Sequence, residues 1–103
     1  MTGERTAEVV LTGELDITTY ADAEKQVTDV EQAAPALLII DLAGLQFVDS
    51  TGVRLILAAD QRAREQSRRL AIRLGDGLAR RVFAALGLLD KFDVLDAQPS
   101  GPP

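Results

Sequence analysis

The run Leu37-Leu38-Ile39-Ile40-Asp41-Leu42 constrains the fold more than any other stretch. Aliphatic side chains with one acid near the end leave no polar face, as in a parallel-sheet strand covered by helices on both sides. Ala43-Gly44 ends the run, and Phe47-Val48-Asp49-Ser50-Thr51-Gly52 follows. From Ser50 to about Ser67 apolar residues recur at helical spacing, with Val53, Ile56, Leu57, Ala59 and Ala63 as the core side. Leu55 widens that arc to roughly 200° at about 100° per residue, so a deeply packed helix is expected. Asp60 falls inside the arc, and Arg64 one turn on is its expected ion-pair partner.

The same alternation continues on either side. Glu8 to Thr12 reads as a short strand stopped by Gly13. Thr19 with Asp22 has the spacing of a capping box, and Tyr20, Ala23, Val27, Val30 and Ala34 share one helical face before Pro35, giving a helix over roughly 19–33. Leu70 to Leu74 alternates and predicts a third strand, half exposed through Arg73. After the turn Gly75-Asp76-Gly77, the residues Leu78, Val82, Ala85 and Leu86 predict a short helix with Gly87 at its C′ position. Phe92 to Leu95 is a candidate last strand. The expected fold is therefore α/β: a single domain over residues 1–97, with a small, mostly parallel sheet of about four strands and three helices. Residues 98–103 form a Pro/Gly tail with nothing to bury and are expected to be disordered.

The residue types present narrow the function. Without histidine or cysteine the chain lacks the usual general base, the commonest metal ligands and any disulfide, so neither an enzyme nor a cofactor is expected. Asp41 at a strand end invites comparison with the phosphoacceptor of receiver domains. However, no paired acids follow the first strand and no lysine ends a later one, so Asp41 is expected to bond loop N–H groups instead. Residues 1–53 carry ten acids and two bases, whereas residues 54–103 carry six acids and nine bases. The acidic half, and the lack of aromatics among Arg62, Arg64, Arg68 and Arg69, argue against direct nucleic-acid binding. No apolar run is long enough to span a membrane and no secretory leader is visible, so no membrane insertion and a cytoplasmic location are expected.

In a parallel sheet the loops Gly13–Thr19 and Ala43–Ser50 leave by the carboxyl edge, where open α/β sheets place their sites. Asp16 and the Asp49-Ser50 pair are thus expected to be neighbours. Two uses of Asp49-Ser50-Thr51-Gly52 fit the spacing. Asp49 or Ser50 can cap the helix for about 1 kcal/mol, with Gly52 letting the first turn approach the sheet. Alternatively Ser50 is a phosphoacceptor, its phosphate meeting unpaired N–H groups at the helix N-terminus and adding about −1.5 to −2 charge beside Asp16 and Asp49.

Gly13-Glu14-Leu15-Asp16, the strand closing in Asp41-Leu42, Phe47 to Gly52 with Val53, and Gly87-Leu88 before Phe92 together resemble a STAS domain of the anti-sigma factor antagonist (anti-anti-sigma factor) family. The resemblance implies that Ser50, with Thr51 as the lesser candidate, is phosphorylated by an anti-sigma factor that is also a GHKL-type serine kinase. It also implies that the unphosphorylated protein binds this partner and frees the sigma factor, and that a PP2C-type phosphatase resets it. The implied partner surface comprises Gly13, Glu14, Asp16, Asp49, Ser50, Thr51 and Gly52, with Arg54, Ala58 and Gln61 along the following helix. Arg54 stands where many members of the family have glycine. Members usually carry a further strand before residues 8–12 and a terminal helix after Phe92–Leu95. Their shortening here invites partner coverage or a weak homodimer. The family also includes adaptor subunits of lipid-trafficking ABC transporters, an alternative role as a constitutive interaction module.

Overall fold

The computed structural model describes residues 5–95; the expected tail over 98–103 lies outside them. In chain order the elements are β1 (Thr6–Val10), β2 (Gly13–Leu15), α1 (Tyr20–Glu31), β3 (Leu37–Asp41), β4 (Leu45–Val48), α2 (Ser50–Glu65), β5 (Arg69–Arg73), α3 (Leu78–Ala85) and β6 (Asp93–Leu95). Four strands form one parallel sheet in the order β1-β3-β5-β6. Each connection steps one strand in the same direction, so right-handed crossovers put all three helices on one face.

Side-chain burial agrees with that placement. Val9, Ile40, Ile72 and Val94 lie in one row across the sheet. With Leu38, Leu42, Leu70 and Leu74 they pack against Ala23 and Val27 of α1 and Leu55, Ile56, Ala59 and Ala63 of α2. The opposite parity, Glu8, Ile39, Ala71 and Asp93, lies on the outer face. The expectation that helices cover both faces of the Leu37–Leu42 run is therefore corrected. Ile39 and Ala71 are buried yet stand outside the main core. Around them the outer face carries the Arg73–Glu8 ion pair at 3.1 Å and the Arg69–Asp93 pair at 3.8 Å, whose aliphatic stems can shield apolar neighbours.

Two short strands were not foreseen. β2 and β4 pair in parallel as a separate two-stranded sheet beyond the carboxyl ends of β1 and β3, with Leu15 opposite Val48. The first strand accordingly ends at Val10, and Gly13, at φ +79°, opens β2 instead of merely stopping β1. A register irregularity between Gly13 and Glu14 marks the bend. The face of α3 agrees with expectation in part: Leu78 and Val82 pack half-buried against the core, but Ala79 and Phe83 are the buried residues, whereas Ala85 and Leu86 are exposed. Phe83 is fully buried and meets Phe92 edge to face, with ring centroids 5.8 Å apart. Gly87, at φ +71°, closes the helix as expected: its N–H bonds Ala84 O and the Leu88 N–H bonds Phe83 O, a Schellman pair. Asp60 is buried within the apolar arc of α2, paired with Arg64 Nε at 2.9 Å and with Lys91 Nζ at 3.8 Å.

Candidate functional site

The β2–β4 pair determines the geometry of the rim. Leu15 O accepts the Asp49 N–H at 3.3 Å, so the chain leaves both strands side by side and Asp16 and Asp49 follow hydrogen-bonded neighbours. The two loops predicted to meet therefore do so, through a small sheet instead of by simple proximity.

Asp49 is the N-cap of α2. Its Oδ1 accepts the N–H groups of Thr51 at 2.9 Å and Gly52 at 3.2 Å. Of the two residues that could cap, the aspartate does so. This corrects the expectation that a phosphate on Ser50 would find those N–H groups unpaired, because a carboxylate already holds two of them. Ser50 is exposed, and its hydroxyl makes no hydrogen bond among the described residues. Gly52 is buried against β2 and β4. A Cβ there would sit 2.8 Å from Leu15 Cγ, from Leu15 O and from Val48 Cγ2.

The other loop is held by its own acid. Asp16 Oδ1 accepts the Thr18 hydroxyl at 2.6 Å, the Thr18 N–H at 2.9 Å and the Thr19 N–H at 3.2 Å. The Thr18 hydroxyl, chiefly, holds the Asp16 carboxyl below its ordinary pKa, against an opposing push from desolvation. Thr19 does not form the expected capping box with Asp22. Its Oγ1 instead donates to Glu14 O at 2.9 Å and accepts the Asp16 N–H at 3.0 Å. The residue is used to tie the loop back onto β2. Asp41 behaves as expected of a strand-end acid, with Oδ1 accepting the Ala43 N–H at 2.9 Å.

The remaining expected partner residues fall in two groups. Glu14 is exposed beside Gly13 on β2, opposite Phe47. Arg54, Ala58 and Gln61 follow Ser50 along one stripe of α2, with Arg54 and Gln61 exposed and Ala58 half-buried. Arg54 has no ion pair or hydrogen-bonded side-chain partner among the described residues. Sequence reasoning missed Ile17, which is 75% exposed between Asp16 and Thr18. With Tyr20, Ala21, Thr51 and Arg54 it lines a hollow of about 370 Å³ beside Ser50. The available signal was an aliphatic residue standing alone in a polar loop.

A STAS domain family model matches residues 3–99. The anti-sigma-F factor antagonist RsfB of Mycobacterium tuberculosis is 32% identical over 76 residues, covering 74% of this chain and 62% of RsfB. The chain thus spans less than two thirds of the length of the curated relatives it matches. Among solved structures, an anti-sigma factor antagonist from Mycobacterium paratuberculosis superposes with a TM-score of 0.78 at 22% identity, over 91% of this chain and 80% of that one, a likeness of fold. The anti-sigma factor antagonist SpoIIAA in its unphosphorylated form gives 0.73 at 28% identity, over 96% and 85%. The phosphorylated form of SpoIIAA, a Bacillus cell fate determinant, gives 0.68 at 27%, over 96% and 88%.

Proposed function

The chain belongs to the STAS domain family, and from that premise we propose that it is an anti-sigma factor antagonist switched by phosphorylation of Ser50. Unphosphorylated, it binds an anti-sigma factor through the rim formed by Gly13–Asp16 and Asp49–Gly52 and the Arg54, Ala58 and Gln61 stripe, and so releases the sigma factor. The anti-sigma factor, a GHKL-type serine kinase, phosphorylates Ser50, and a PP2C-type phosphatase reverses the modification. That SpoIIAA has a phosphorylated form supports the switch.

The observation that carries this reading is the exposed hydroxyl of Ser50, unbonded among the described residues, beside a cap made by its neighbour Asp49. A kinase can reach the hydroxyl, and no folding contact is lost when it is modified. Added negative charge on a rim already holding Asp16 and Asp49 disfavours a partner fitted to the uncharged form. A useful switch needs at least about 1.4 kcal/mol, a tenfold loss of affinity.

The test is intact-mass measurement after incubation with ATP and the cognate anti-sigma factor, followed by titration of that factor with each form. One phosphate on Ser50 and at least a tenfold weaker complex are expected, with Ser50→Ala binding as the parent does. Modification elsewhere, or equal affinities of the two forms, overturns the proposal.

A further inference from the structure

We propose that Arg54 is the intramolecular receptor for a phosphate on Ser50, an inference that rests on the phosphorylation reading above. Ser50 opens α2 and Arg54 lies four residues on, the spacing at which helical side chains meet, with about 5–6 Å between Cβ atoms. Arg54 is exposed and unpaired among the described residues, so its guanidinium is available. Two of the backbone donors that would otherwise compete, the Thr51 and Gly52 N–H groups, are already held by Asp49 Oδ1. A phosphate on Ser50 is thereby turned from the helix end toward the nearest free cation on its own face. A guanidinium matches phosphate with two parallel N–H donors, which an ammonium cannot do.

The pairing has a consequence for the surface. Unmodified, Arg54 lines the hollow with Ile17, Tyr20, Ala21 and Thr51. Capture by phosphate draws the guanidinium toward Ser50 and so changes the shape of the hollow it lines. The modification then removes a cation from the partner surface as it adds an anion, and part of the new charge is neutralised within the molecule. Loss of fit at Ile17 and Tyr20 contributes alongside repulsion.

The experiment uses protein carrying phosphoserine installed at position 50 during translation, so that no kinase is needed. The phosphorus resonance is titrated by NMR through the second ionisation, near pKa 6 for a free phosphoserine. Arg54→Gln is expected to raise that pKa by about half a unit or more, roughly threefold in proton affinity. Arg54→Lys should restore part of the shift. Arg81→Gln, an exposed arginine on α3, removes the same formal charge elsewhere and should leave the titration unchanged. Coincident titrations of the parent and Arg54→Gln, or equal shifts in Arg54→Gln and Arg81→Gln, overturn the proposal. A phosphoprotein that shows the Arg54-dependent shift yet binds the anti-sigma factor as tightly as the unmodified form would sink the switch while leaving the pairing in place.

Discussion

Gly52→Ala separates two accounts of the turn into α2 by the sign of its effect. Considered only as a helical residue, Gly52 should be improved by alanine, by roughly 0.5–1 kcal/mol. The structure predicts the opposite. The new Cβ would lie 2.8 Å from Leu15 Cγ, Leu15 O and Val48 Cγ2, and one of those atoms is backbone. Leu15 O cannot withdraw freely, because it also accepts the Asp49 N–H and its strand pairs with β4. Overpacking of this kind costs about 1–3 kcal/mol, and displacing the first turn of α2 puts the Asp49 cap, worth about 1 kcal/mol, at risk as well. Against the propensity gain the net expectation is a loss of roughly 1–3 kcal/mol. Urea denaturation of the two proteins should show a lower midpoint with an unchanged slope. At about 4–8 °C per kcal/mol for a small domain, the melting temperature should fall by roughly 5–20 °C. A companion double mutant locates the clash: Leu15→Ala removes one of the contacting atoms, so the double mutant should cost less than the sum of the two single substitutions. Stability equal to or above that of the parent in Gly52→Ala would refute the close approach.

Two further outcomes follow from contacts outside this turn. The depressed carboxyl of Asp16 makes a contribution to stability that is present above the ordinary Asp pKa of about 3.9 and is lost as pH falls through the lowered value. The stability difference between the parent and Asp16→Asn should therefore shrink below about pH 4, and a difference constant across acid pH in denaturation curves would contradict the Thr18 and Thr19 bonding. Phe83→Ala, at a fully buried ring packed on Phe92, should cost about 3–5 kcal/mol by the same assay, and a cost below about 1 kcal/mol would contradict that placement.

Strand β3 and helix α2 were legible in the sequence because each carries a long, self-consistent pattern. The Leu37–Leu42 run has no polar face, and the apolar arc of α2 extends over several turns behind an Asp-Ser-Thr-Gly start. What the run could not disclose is which agents bury its two faces. Ile39 and Ala71 are covered on a face that carries the Glu8–Arg73 and Arg69–Asp93 pairs, and that depends on register between distant strands. The β2–β4 sheet was invisible for a related reason. Strands of three and four residues show no usable alternation, and their existence rests on a pairing across more than thirty positions of chain. An eight-residue helix likewise leaves its phase open, so α3 was rotated onto Leu86 when the distant ring of Phe92 in fact selects Phe83. At the rim, residue type put Asp49 and Ser50 at the start of α2, where the structure has them, but left their roles interchangeable, since either can cap a helix.

Those roles are divided in the structure, and the division can be measured without any partner. Asp49 supplies the two capping bonds at the start of α2, while Ser50 contributes no hydrogen bond from its hydroxyl among the described residues and is exposed. Asp49→Ala should therefore cost about 1 kcal/mol. Ser50→Ala should change stability by less than about 0.5 kcal/mol, as for a surface site without structural contacts. Ser50→Asp places an acid in the first helical turn, where the helix dipole favours it by about 0.3–1 kcal/mol. Repulsion from the Asp49 carboxylate beside it opposes that gain, so the net shift should stay within about half a kcal/mol. With those values, the proposed phosphorylation of Ser50 would leave the fold intact, and a change in partner binding would report on the surface and not on unfolding. Denaturation of the three variants side by side decides the matter: if Ser50→Ala loses as much as Asp49→Ala, the serine is part of the cap and its modification would loosen α2.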